Sequence, residues 1–70
     1  MDGDHVYKKV EIVGSSKTSI DDAIETAVAR AAKTIDNLEW FKVDSIRGHI
    51  ADGKVAHYQV SLKIGFRLKD

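Results

Sequence analysis

Trp40-Phe41-Lys42-Val43-Asp44-Ser45-Ile46-Arg47-Gly48-His49-Ile50, then Ala51-Asp52-Gly53-Lys54, then Val55-Ala56-His57-Tyr58-Gln59-Val60-Ser61-Leu62-Lys63-Ile64-Gly65-Phe66-Arg67-Leu68, is the stretch that decides the fold. Two runs rich in aromatic and β-branched residues flank an Asp-Gly pair. Both central residues of a type I′ turn need positive φ, so Asp-Gly between strand-like runs is the strongest short hairpin signal. In the second run Ala56, Tyr58, Val60, Leu62, Ile64, Phe66 and Leu68 alternate strictly with Val55, His57, Gln59, Ser61, Lys63, Gly65 and Arg67. Such alternation marks one buried face and one polar face.

Upstream, the period changes. Ile20, Ala23, Ile24, Ala27, Val28, Ala31 and Ile35 recur at three and four residues, which is one stripe of a helix. Thr18 or Ser19 can cap it, each with an aspartate three residues later. Asp21, Asp22 and Glu25 at its start and Arg30 and Lys33 near its end complement the helix dipole. Five alanines between 23 and 32 let it lie close to whatever covers it. Before it, His5 to Val13 carries Val6, Val10, Ile12 and Val13 without helical spacing and runs into Gly14-Ser15-Ser16, a strand followed by a turn.

The order strand, helix, strand, strand gives an α+β unit. A crossover helix makes the first two strands parallel, and the hairpin makes the third antiparallel to both. With the third strand in the middle, the sheet is antiparallel throughout and the helix covers one face.

Size and composition bound the rest. Seventy residues make a single domain, 1–70, whose core is marginal alone. Without cysteine, disulfides and thiolate metal sites are excluded, which leaves oligomerisation as the source of stability. Eleven basic and eleven acidic residues argue against a dedicated nucleic-acid binder. No apolar run approaches the ~20 residues of a membrane span, and Met1-Asp2-Gly3-Asp4 lacks the features of a signal peptide. A soluble, cytoplasmic, self-associating domain is expected.

A two-residue Asp52-Gly53 loop places Ala51 opposite Lys54, and residues paired across the ladder share a face. Phe41 then faces Ile64 and Val43 faces Leu62 on the helix side. The other side carries Trp40 opposite Gly65, Lys42 opposite Lys63, Asp44 opposite Ser61 and Ile46 opposite Gln59, with Arg67 and Lys63 diagonal to Trp40. The only tryptophan is therefore exposed over a glycine in a monomer, as a ligand platform or a subunit contact. Gly65 and Gln59 lie about 20 Å apart at roughly 3.3 Å per residue, so one small ligand touching both Trp40 and Gln59 draws them from neighbouring subunits, unless a bulge shortens the distance. In the same register Arg47 pairs with Tyr58 on the helix side. His49 and His57 fall on opposite faces, which rules out a chelate between them within one chain.

The motifs His5-Val6-Tyr7-Lys8-Lys9-Val10, Val13-Gly14-Ser15-Ser16, Asp22-Ala23-Ile24, Leu38-Glu39-Trp40-Phe41, Ile46-Arg47-Gly48-His49-Ile50, Tyr58-Gln59-Val60 and Gly65-Phe66-Arg67-Leu68 resemble, in order and spacing, the dodecin family. The resemblance covers nearly the whole chain. It implies a β-α-β-β subunit in a hollow homododecamer that binds flavins in pairs at subunit interfaces. By position, Trp40 matches the residue that stacks on the isoalloxazine and Gln59 the one that hydrogen-bonds its edge. Arg47 and Arg67 match basic positions of bacterial members, for which FMN is a suitable ligand; riboflavin and FAD are the other flavin candidates. His49 stands where archaeal members carry an acidic residue, which points to the bacterial branch. If the ring lies on Trp40, the stack adds ~0.5–1.5 kcal/mol beyond area burial. Glutamine supplies donor and acceptor together, and arginine a fork for phosphate. Arg47 fits this scheme only if a bulge re-aims it or it reaches around the hairpin tip.

An enzyme is not expected. No nucleophile or histidine–carboxylate pair is fixed by motif, and close indole stacking blocks the flavin face where substrate chemistry would occur. Storage, buffering or photoprotection is expected instead. The alternative is an assembly module that binds no ligand, or one that binds coenzyme A, for which no residue can be assigned.

Overall fold

The computed structural model describes residues 4–69, so the reading of the first residues as lacking a signal peptide falls almost wholly outside it. Four elements follow in order: β1 (Tyr7–Ser16), α1 (Ile20–Ala31), β2 (Leu38–Ala51) and β3 (Lys54–Arg67). The sheet order is β1-β3-β2, and both pairings are antiparallel. The expected topology, with the third strand central, is the one observed.

The hairpin turn forms as the Asp-Gly signal dictates, with φ of 54° at Asp52 and 74° at Gly53. At the helix start Ser19 is the cap, its hydroxyl accepting from the Asp22 amide at 3.0 Å. Ser16 reinforces it: its hydroxyl donates to the Asp22 carboxylate at 2.6 Å and accepts from the Thr18 amide at 2.9 Å.

Two boundaries differ from expectation. β1 continues through Gly14-Ser15-Ser16, because all three pair with β3 opposite Val60, Gln59 and Tyr58. The helix stops at Ala31, so Ile35 is not on its stripe. Ile35 lies in the following turn, its amide bonded to the Ala31 carbonyl at 3.0 Å, and packs against the core from there.

The core joins the helix face Ala23, Ala27 and Ala31 to Val60, Leu62 and Ile64 of the central strand. Small helix residues permit close approach. A Cβ on Gly14 would stand 2.2 Å from the Ala23 carbonyl oxygen, so only glycine lets the helix lie on β1 here. Each fully buried Leu or Ile adds roughly 1.5–3 kcal/mol of transfer free energy.

The helix lies mainly on β1 and β3, and of β2 chiefly Leu38 and Val43 pack against the core. β2 is exposed along nearly its whole length, with Phe41, Ile46 and Ile50 at 49%, 54% and 71% exposure. The molecule measures 56 × 20 × 14 Å and its radius of gyration is 14.7 Å, against about 11 Å for a compact domain of this length. A long two-stranded arm reaches beyond the single small core.

Candidate functional site

The face of the sheet opposite the helix is a ladder of side chains fixed by two registers. From one end, its rows are Tyr7 with Arg67; Lys9, Gly65 and Trp40; Glu11, Lys63 and Lys42; Val13, Ser61 and Ser45; Ser15, Gln59 and Arg47; and finally His57 with His49. All five residues singled out from sequence (Trp40, Arg47, His49, Gln59 and Arg67) belong to it.

Trp40 behaves as expected. Its indole lies flat on Gly65: a Cβ there would meet the ring carbons Cε2 and Cζ2 at 2.1 and 2.2 Å. The glycine therefore makes a seat that any other residue would fill, and the opposite ring face turns outward, with Trp40 41% exposed. β2 is irregular just before it, where the ladder steps from Leu38–Phe66 to Trp40–Gly65 and leaves Glu39 without a partner of its own. Tyr7 completes this end, beside Arg67 and within reach of Glu39. Loss of solvent pushes its hydroxyl pKa upward, the hydrogen bond and charge of Glu39 push it further, and Arg67 opposes them. Sequence reasoning missed both: no turn between β1 and β3 fixes the register of Tyr7, and the irregularity that frees Glu39 leaves no mark in the hydrophobic pattern.

The other end required a correction. A second irregularity falls between Val43 and Ser45, where Asp44 is the extra residue of a bulge, so Asp44 and Ser45 together face Ser61. From there to His49–His57 every pair shifts by one. A third irregularity between His49 and Ile50, where Ala56 is the extra residue on β3, restores the expected Ile50–Val55 and Ala51–Lys54 pairs beside the turn. Ile46 faces Val60 rather than Gln59, and Arg47 faces Gln59 rather than Tyr58. Of the two explanations offered for Arg47, the bulge is the one observed. The bulge also aims the Asp44 carboxylate across the open face at Lys63, 2.7 Å from its Nζ. The hydrogen bond from Lys63 holds the Asp44 pKa below its ordinary value and raises that of Lys63 in return.

The same shift overturns the placement of the histidines. His49 pairs with His57 on one face, their rings stacked with centroids 5.5 Å apart and planes 20° from parallel. Arg47, Gln59, His49 and His57 thus form a two-by-two block.

The structure does not bring that block to Trp40. Gly65 and Gln59 remain six residues apart on a regular stretch of β3, about 20 Å. The hollow at the strand edge beside Trp40, lined by Val28, Leu38, Glu39, Phe41 and Ile64, holds about 150 Å³, less than the roughly 300–1,000 Å³ usual for a ligand pocket. One chain therefore carries two separate patches on this face, an aromatic one around Trp40 and a polar one around Arg47, Gln59, His49 and His57. Among the described residues no group of three or more His, Asp or Glu side chains is placed to hold a metal ion, and no helix is long and apolar enough to cross a membrane.

Comparison with known proteins bears on what such a face is for. Residues 6–69 match the family model for dodecin. The chain belongs to the dodecin family. It is 52% identical over 65 residues to a dodecin of Thermus thermophilus, covering 93% of this chain and 94% of the relative. The structure of dodecin from Streptomyces coelicolor superposes with a TM-score of 0.90 at 48% identity, covering 100% of this chain and 99% of that one. A more distant relative, calcium dodecin of Mycobacterium tuberculosis, is 31% identical over 65 residues, covering 91% and 90% of the two chains. Its structure has a TM-score of 0.78 and is described as having a novel calcium-binding site. Dodecins are small binding and storage proteins that self-assemble, not a known class of enzyme, and self-assembly accords with a one-sided sheet that leaves one face open.

Proposed function

We propose that this dodecin is a non-enzymatic flavin-binding protein that stores or buffers FMN or riboflavin in the cytoplasm, with FAD as a further candidate, and quenches the flavin it holds. Its assembly is a hollow homododecamer, in which the aromatic half-site of one protomer meets the polar half-site of another. The observation that carries the reading is the seat of Trp40. An indole laid flat on glycine, with one face outward, offers a rigid platform to a planar electron-poor ring. Gln59 fits the flavin's mixed donor–acceptor edge. Arg47, turned to the same face by the bulge, suits a phosphate, and Arg67 places a second cation beside the aromatic end. His49, one row beyond Arg47, adds a polar rim to the same half-site.

The test is a fluorescence titration of FMN with purified protein, run beside size-exclusion chromatography. Saturable quenching with a mass near twelve subunits is expected. Trp40→Ala should weaken binding and restore the emission of flavin that still binds. Arg47→Ala and Arg67→Ala should weaken FMN more than riboflavin. Unquenched flavin beside an intact large oligomer would leave an assembly module, free of ligand or carrying coenzyme A.

A further inference from the structure

The geometry points to a transition-metal site at the His49–His57 pair: two imidazoles that chelate one borderline cation such as Ni²⁺, Zn²⁺ or Cu²⁺ on the open face of the hairpin arm. An irregularity beside the turn makes the pair: between Ile50–Val55 and His49–His57 the extra residue Ala56 slips β3 by one, and without it the two residues would fall on opposite faces. Directly opposed residues of antiparallel strands hold their Cβ atoms about 4.5–5.5 Å apart. The rings lie side by side, 5.5 Å between centroids and 20° between planes. Rotation about the Cα–Cβ and Cβ–Cγ bonds that turns both rings out of the stack brings one nitrogen from each to a common point at the ~2.0–2.1 Å usual for zinc–imidazole bonds.

The surroundings select the kind of metal. His49 is exposed and His57 half-buried, and among the described residues neither takes part in a salt bridge. No carboxylate stands in the rows on this side of Ser61, where the neighbours are Gln59 and Arg47. A hard cation such as Ca²⁺ or Mg²⁺ needs several oxygen ligands and finds none among these residues. A borderline metal takes imidazole nitrogen readily, in the general order Ni²⁺ < Cu²⁺ > Zn²⁺. Arg47 lowers the affinity for any cation without changing that selectivity. Two protein ligands leave coordination positions for water, or for the same pair on a second copy.

The inference does not rest on flavin binding, so its test uses untagged protein without flavin and the bare ions Ni²⁺ and Ca²⁺. Titration calorimetry should show saturable Ni²⁺ binding at no more than one ion per chain, with Ca²⁺ failing to compete. His49→Gln and His57→Gln should each weaken Ni²⁺ binding at least tenfold, while His5→Gln, at the far end of the molecule, leaves it unchanged. Wild-type Ni²⁺ affinity in both pair variants, loss in His5→Gln alone, or no saturable binding would overturn the site. Size-exclusion profiles matching wild type identify a variant that has lost ligands and not its assembly.

Discussion

At the scale of single residues, the open face works by subtraction as much as by placement. Gly65 contributes no side chain, and that absence seats the Trp40 indole. Gly65→Ala puts a Cβ where two ring carbons now stand, so the indole must lift off the sheet. The expected result is a loss of flavin affinity of about tenfold or more, near 1.4 kcal/mol, with the size-exclusion profile kept; quenching titrations as strong as wild type would detach the ring's seat from ligand binding. The Asp44–Lys63 pair makes a prediction of another kind. Asp44 has its pKa held below the ordinary 3.8. Its contribution to stability is therefore complete above that value and is lost as pH falls through the depressed folded value. Lys63 has its pKa raised above 10.5, so its contribution persists below that value and is lost only as pH climbs through the raised one. Both side chains are solvent-accessible, so the effect is small and screened by salt. Thermal melts of Asp44→Asn should match wild type at low pH and fall slightly below it at neutral pH; an equal offset at every pH would mean that the charge pair contributes nothing.

At the scale of elements, much of the fold was legible, because each element announces itself locally. The three-and-four spacing from Ile20 made the helix, Asp52-Gly53 made the turn, and the strict alternation of β3 named its buried face. Trp40 over Gly65 followed by counting back from the turn. Between Ile50 and Asp44 counting failed, because a bulge leaves no mark in hydrophobic pattern. The extra Ala56 shifts the pairs by one and the extra Asp44 restores them, so Val43, Ile46 and Gly48 share a face only after one residue is discounted. Trp40 and Arg47 are seven residues apart, and a regular strand would place them on opposite faces. The bulge turns that odd spacing into a common face, and the placing of Arg47 on the side of Trp40 depends on it. Deleting Asp44 therefore tests the register. The shortened strand should keep Ser45 opposite Ser61 and His49 opposite His57, and a crystal structure of the variant should show both imidazoles still paired. Arg47 opposite Tyr58 in that structure would mean that the register is set elsewhere than at the bulge.

At the scale of the whole molecule, the 56 Å length and the one-sided helix leave a protomer with more surface than core. The accessible area of 5300 Å² exceeds the roughly 4,400 Å² expected for a compact monomer of this mass. Much of the excess lies on the arm, where Ile46, Ile50 and Val55 line an apolar cleft of about 340 Å³ with Ile20 and Tyr58. Burying a charge there is costly, so Ile50→Asp should shift the size-exclusion peak from the assembly to small species, and an unshifted peak would place the subunit contact elsewhere. The bare arm has a further consequence. If its apolar side chains leave water only when neighbours arrive, completing the fold and joining the assembly form one equilibrium. Stability then obeys mass action: the melting midpoint falls with each dilution, and a chain newly released from the ribosome finishes its structure only once enough siblings have accumulated to meet it.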